Sequence, residues 1–121
     1  MDAVQDMVIH QGYASIELTN LKAVDFVVAQ LLDASQECQR HDIVRLAVYV
    51  PRVSSPEMST LHVFQIITAL VPQWNRRLHV AVILSFKPGQ LEEFALLVAR
   101  NRGINISMFS NENEALAWLN P

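Results

Sequence analysis

The hydroxyl groups most able to take part in chemistry are concentrated in one short segment, SSPEMSTL, at residues 54–61. Four side chains there could accept a phosphate and its roughly two negative charges: Ser54, Ser55, Ser59 and Thr60. The same segment also suits the start of a helix. Ser55 is a good N-cap, Pro56 fits the first helical position, and Glu57 complements the positive end of the helix dipole. Helix capping alone explains why these residues are present, and phosphorylation of the segment is the alternative explanation.

The other reactive side chains are scattered along the chain. The four histidines stand at positions 10, 41, 62 and 79, and none has a second ligand at metal-binding spacing. Cys38 is the only cysteine and lies on the apolar side of a predicted helix, which indicates an inert packed thiol. Glu92 and Glu93 are adjacent in a predicted helix, so their carboxylates diverge. The sequence therefore predicts no enzyme, no metal and no cofactor.

Composition excludes several classes of partner. Only three glycines are present and none are clustered, so neither a dinucleotide loop nor a P-loop is predicted. The net charge is −3 and the arginines form no basic stripe, which argues against nucleic-acid binding. No apolar segment approaches the roughly 20 residues that span a bilayer, and the N-terminus does not read as a signal peptide. We expect a cytoplasmic protein without membrane insertion.

Hydrophobic periodicity predicts one α/β domain over residues 1–121. Two short strands, VQDMVIH and YASIELT, flank a glycine turn and precede an amphipathic helix from about residue 20 to residue 40. IVRLAVYV and LHVAVILSF are apolar, β-branched runs typical of strands that are covered on both faces. The helix predicted over LEEFALLVARNR stops at Gly103, and Asn111 with Glu114 gives a capping-box-like start to a terminal helix. With these helices, the one before LHVAVILSF and the strand INISMF, the order is β-β-α-β-α-β-α-β-α. This order predicts a mixed, mostly parallel sheet of about five strands, with an N-terminal hairpin and about four helices.

This layout, with YASIELT near the N-terminus and FSNENEALAWL near the C-terminus, resembles the STAS fold of anti-sigma-factor antagonists. It is closest to the SpoIIAA-like, STAS/SEC14-related branch, and the resemblance covers residues 7–120. The resemblance implies a bacterial, non-enzymatic regulatory module that binds another protein. An anti-sigma-type kinase is the partner that the resemblance suggests.

In those antagonists an Asp-Ser-Ser-Gly segment begins the second helix, and a partner kinase phosphorylates its first serine. With Val53 as the anchor, the matching residues here are, in order, Glu57, Met58, Ser59 and Thr60. Met58 then occupies the phospho-acceptor position, and its thioether cannot accept a phosphate. A slip of a few residues in this alignment places Ser54 or Ser55 there instead.

The second predicted helix, from about residue 56 to residue 71, has an apolar arc of roughly 160°, wider than the usual stripe of about 100°. Its candidate interface residues, with the tryptophan that follows, are Leu61, Phe64, Ile67, Val71 and Trp74. Deep burial explains this arc, and so does contact with a partner protein, a second copy in a homodimer, or an apolar ligand. We expect a protein-interaction module, and the alternative is a small apolar-ligand or lipid carrier of SEC14-like character.

Overall fold

The computed structural model describes residues 7–21, 23–51 and 60–120. Its elements, in chain order, are β1 Val8–Ile9, β2 Ala14–Glu17, α1 Val24–Arg40, β3 Arg45–Val50, α2 Thr60–Leu70, a 3₁₀ turn Val71–Gln73, β4 His79–Leu84, α3 Gln90–Asn101, β5 Asn105–Phe109 and α4 Glu112–Leu119. The predicted α/β class is confirmed. No helix among the described residues has the length and apolar character that crossing a bilayer requires.

The five strands form one sheet in the order β1-β2-β3-β4-β5. β1 pairs antiparallel with β2, and every other neighbouring pair is parallel. Leu46 in β3 lies beside Ala14 in β2 and Val80 in β4. Since each parallel strand neighbours the next one along the chain, right-handed crossovers bring the connecting helices to the same face of the sheet.

Side chains alternate between two apolar layers, as the period of a strand requires. Leu46 and Val48 point into the larger layer, where they pack with buried residues of α1, α2 and α3. Ala47 points the other way and packs with Ala81 and with Ala115 of α4. All three alanines are fully buried, and their small size allows α4 to lie close to the sheet. Cys38 is buried in the larger layer, which confirms the prediction of a packed thiol.

Two helix ends, at Asn111 and Gly103, lie where the sequence predicted them, and the start of α1 differs. Asn111 caps α4, because its side-chain oxygen accepts a hydrogen bond from the Glu114 N–H at 3.1 Å. In contrast, α1 begins at Val24 and not at residue 20. Asn20 has a φ of 57°, which interrupts a right-handed helix, and asparagine is one of the few residues that tolerate this conformation. Within the described residues, β1 is also shorter than predicted.

Gly103 follows the last turn of α3 with a φ of 87°, as expected for a helix stop. Alanine at this position would be strained, and its Cβ would lie 2.5 Å from Arg76 Nη1. We expect Gly103→Ala to lower the free energy of unfolding by about 1 kcal/mol, measured by urea denaturation. Gly89→Ala is the comparison at a negative φ of −114° with room for a methyl group, and we expect a smaller loss there, from the weaker N-cap of α3 alone. Equal losses in both variants would contradict this explanation.

Candidate functional site

The described residues leave a cavity of about 850 Å³ between the sheet and helices α1, α2 and α3. Of the described residues, twenty-four line it, and twenty-two of these are apolar. The two exceptions are Lys87 and Glu92. Ligand pockets in proteins typically have volumes of about 300–1,000 Å³ and mostly apolar walls with a few polar groups. The size and lining of this cavity are therefore those of a small-molecule site.

The cavity lies at the carboxyl ends of the parallel strands. Leu18 follows β2, Val50 ends β3 and Leu84 ends β4, and all three line it. From there it extends inward to Trp74 and Ile104, which precede β4 and β5. The space therefore extends along the layer between the sheet and the helices, with one end at the carboxyl ends of the strands.

Burial along β4 shows that this space reaches the surface. Val80, Val82 and Leu84 all point to the cavity side. Val80 and Leu84 are only 3% and 4% exposed, yet Val82 between them is half-buried. In a closed core the middle residue of an inner strand is normally the most buried of the three. Ala95 on α3 and Ile106 on β5 line the same space and are also half-buried.

Because the space reaches the surface, part of its apolar wall is exposed to water. Covering apolar surface is favourable by about 25 cal/mol per Å². The chemistry of the walls therefore favours contact with apolar molecules.

The two charged residues lie at the connection between β4 and α3. Lys87 is exposed, and Glu92 is half-buried in the first turn of α3. The Gly89 N–H donates a hydrogen bond to Glu92 Oε1 at 2.7 Å. This bond holds the Glu92 carboxylate against the start of the helix, where the dipole stabilises negative charge. Among the described residues of the lining, Lys87 carries the positive charge.

Trp74 lies at the inner end of the cavity, just after the 3₁₀ turn Val71–Gln73. It is 8% exposed, and its Nε1 has no hydrogen-bond partner among the described residues. An unpaired buried N–H costs about 1–3 kcal/mol. Of the two tryptophans, Trp74 is the one that lines the cavity. Trp118 lies on the opposite face of the sheet, against Phe109 and His79.

The structure divides the five candidate interface residues between two surroundings. Leu61 and Phe64 of α2 point outward and are 61% and 40% exposed. Ile67 and Trp74 are buried and line the cavity. Val71 is half-buried and packs against the larger layer. The sequence pattern predicted one apolar face of the second helix with Trp74 at its end, but these residues do not form one outer surface.

An arginine accompanies the exposed part of α2. The Arg102 guanidinium carbon lies 5.1 Å from the centre of the Phe64 ring, within the range of a cation–π interaction. This contact connects the outer flank of α2 with the end of α3. The flank that Leu61 and Phe64 form is therefore apolar with a cation at its edge.

The candidate phosphorylation segment is mostly outside the described residues. Five of its proposed members are not described: Ser54, Ser55, Glu57, Met58 and Ser59. Thr60 is the first residue of α2. The proposed phosphate acceptors and the alignment with the Asp-Ser-Ser-Gly segment stay predictions.

One contact that sequence reasoning missed involves two residue types used in catalysis. His10 Nε2 lies 2.7 Å from Ser15 Oγ, and the His10 ring stacks on Tyr13 with centroids 4.4 Å apart. A hydroxyl–imidazole pair needs a group that orients the imidazole and donors for an oxyanion before it is a catalytic site. The pair connects β2 with the turn before it and lies away from the cavity. Among the described residues no three metal-ligating side chains are grouped.

Comparisons with known proteins gave no match. The chain matches no protein-family model, no curated protein and no solved structure. Its function must therefore be inferred from the cavity, the exposed flank of α2 and the charges near them.

Proposed function

We propose that this chain binds a small apolar molecule in the cavity between the sheet and α1, α2 and α3, and acts as a carrier or sensor of that molecule. The observation that carries the proposal is a space of about 850 Å³ in which twenty-two of the twenty-four described lining residues are apolar. The half-buried Val82 in the middle of β4 supports it, because that side chain lacks the covering expected in a closed core.

The expected affinity follows from the hydrophobic effect. Each buried CH₂ group contributes about 0.8 kcal/mol, so about ten of them contribute about 8 kcal/mol. A dissociation constant of about 1 μM corresponds to about 8 kcal/mol, and association itself also costs free energy. We therefore expect binding of single-chain apolar molecules in the micromolar range or weaker, improving as the chain lengthens until the cavity is full.

The two tryptophans provide a matched pair of probes. Trp118→Phe leaves Trp74 as the only tryptophan, inside the cavity, and Trp74→Phe leaves Trp118 on the opposite face. Titration with alcohols of increasing chain length should change the emission of the Trp118→Phe protein in a saturable manner. The Trp74→Phe protein should show little change.

Two results would contradict the proposal. If no chain length gives a saturable change in either protein, and native mass spectrometry shows no bound adduct, the cavity is not a binding site. A saturable change for Trp118 alone would place the ligand on the other face of the sheet.

The regulatory interaction module expected from the resemblance to STAS domains is our second candidate. The observation that favours it is the outward position of Leu61 and Phe64 beside Arg102. A second copy of the chain or an anti-sigma-type kinase would contact this flank. Sedimentation at micromolar concentration tests the homodimer, with Leu61→Ser and Phe64→Ser against Thr68→Ser as the control.

Incubation with the kinase tests the kinase partner. Phosphate incorporated at Ser54, Ser55, Ser59 or Thr60 would support this partner, and absence of label at these residues would contradict it.

A further inference from the structure

We infer that the molecule bound in the cavity is an amphiphile with one anionic head group, which lies at Lys87 while its apolar part occupies the cavity. The inference rests on the proposed function and adds the chemical class of the ligand. It depends on the two charged side chains, Lys87 and Glu92, among described lining residues that are otherwise apolar.

The position of Lys87 fits a head-group contact. The residue lies between the end of β4 and the start of α3, at the carboxyl end of the sheet. Its side chain lines the cavity and is exposed, so its ammonium can keep contact with water while its methylene groups border the apolar space. A ligand whose chain extends toward Trp74 would leave its head group at this end.

The second charge in the lining does not cancel the first. Glu92 Oε1 accepts the Gly89 N–H at 2.7 Å, and the first turn of α3 stabilises its negative charge. Among the described residues, Lys87 forms no ion pair. An ammonium at the mouth of an apolar cavity, with no ion-pair partner in the described part of the chain, complements a carboxylate or another monoanion, and it repels a cationic head group.

The test compares three amphiphiles with the same chain: dodecanoate, dodecanol and dodecylamine. We expect dodecanoate to bind the native protein about fivefold more tightly than dodecanol, the size expected for one partly exposed charge pair. Dodecylamine should bind more weakly than dodecanol. The preference for dodecanoate should decrease as salt is added, because the pair is accessible to solvent.

Variants assign the preference to individual charges. Lys87→Gln should reduce the ratio of dodecanoate to dodecanol affinity to about one, and Lys87→Arg should retain it. Glu92→Gln should increase dodecanoate affinity about twofold, since the amide keeps an oxygen for the Gly89 N–H and removes a like charge. Arg77→Gln is the matched control for net charge, because Arg77 is exposed and precedes β4 at the other end of the sheet.

Each result has a distinct consequence. Equal affinity for dodecanoate and dodecanol in the native protein overturns the anionic head group and leaves the apolar cavity as a binding site. A preference that survives in Lys87→Gln overturns the assignment to Lys87. Failure of all three amphiphiles to bind overturns the proposed function itself.

Discussion

Replacement of Val82 by tryptophan is expected to reduce the affinity for apolar ligands at least tenfold while the protein stays folded. The Val82 side chain lies in the middle of β4 and points into a cavity of about 850 Å³, so a larger side chain has space there. Tryptophan is well accepted in strands, and its extra apolar surface would be removed from water. The thermal midpoint should therefore stay the same or increase. Calorimetric titration with dodecanol and thermal denaturation measure the two effects.

The control for this prediction is the preceding residue on the same strand. Ala81 is fully buried against Ala47 and Ala115 on the α4 side. We expect Ala81→Leu to lower the free energy of unfolding by about 1–3 kcal/mol through overpacking. A comparable loss in Val82→Trp would mean that the side of the sheet facing α1, α2 and α3 is filled, and that the cavity is not available to a ligand.

The stability of the protein is expected to fall by about 2 kcal/mol between pH 9 and pH 11 because of Cys38. Burial raises the pKa of the Cys38 thiol from 9.0 to about 11. Above pH 9 the unfolded chain loses this proton while the folded chain keeps it. Ionisation therefore stabilises the unfolded state relative to the folded state. Each tenfold difference in proton affinity corresponds to about 1.4 kcal/mol. The contribution is complete below pH 9 and is lost as the pH rises to about 11.

Urea denaturation from pH 7 to pH 11 measures this loss, and Cys38→Ala isolates it. The variant should be less stable by about 1 kcal/mol at pH 7 because it leaves a small cavity, but its stability should decrease less between pH 9 and pH 11. Burial and a hydrogen bond to Glu112 also raise the pKa of Tyr49, which adds a loss of the same sign above pH 10. Tyr49→Phe separates that part. Parallel curves for the native protein and Cys38→Ala would contradict the assignment to the thiol.

Local signals in the sequence predicted most of the elements correctly. β3 and β4 read as strands because their runs are apolar and β-branched, and both lie inside the sheet. Gly103 and Asn111 marked a helix end and a helix start, because each acts through its own backbone or side chain within a few residues. The start of α1 was predicted four residues too early, since the left-handed conformation of Asn20 is decided by the connection that it belongs to.

The candidate site was less predictable for a physical reason. Periodicity gives the direction of a side chain around its helix axis, but it does not show what lies opposite. Phe64 and Ile67 share one apolar arc, yet one is exposed beside Arg102 and the other lines the cavity. Likewise, Val82 belongs to a run that predicts burial on both faces, and it is half-buried.

The sequence by itself determined the α/β class, the order of strands and helices and the packed state of Cys38, because these depend on periodicity and local backbone preferences. Only the tertiary structure decided that α1, α2, α3 and the sheet leave an apolar cavity with Lys87 at its mouth. The volume of a cavity is a small difference between the space that several elements enclose and the side chains that fill it. No single segment of the chain contains that difference.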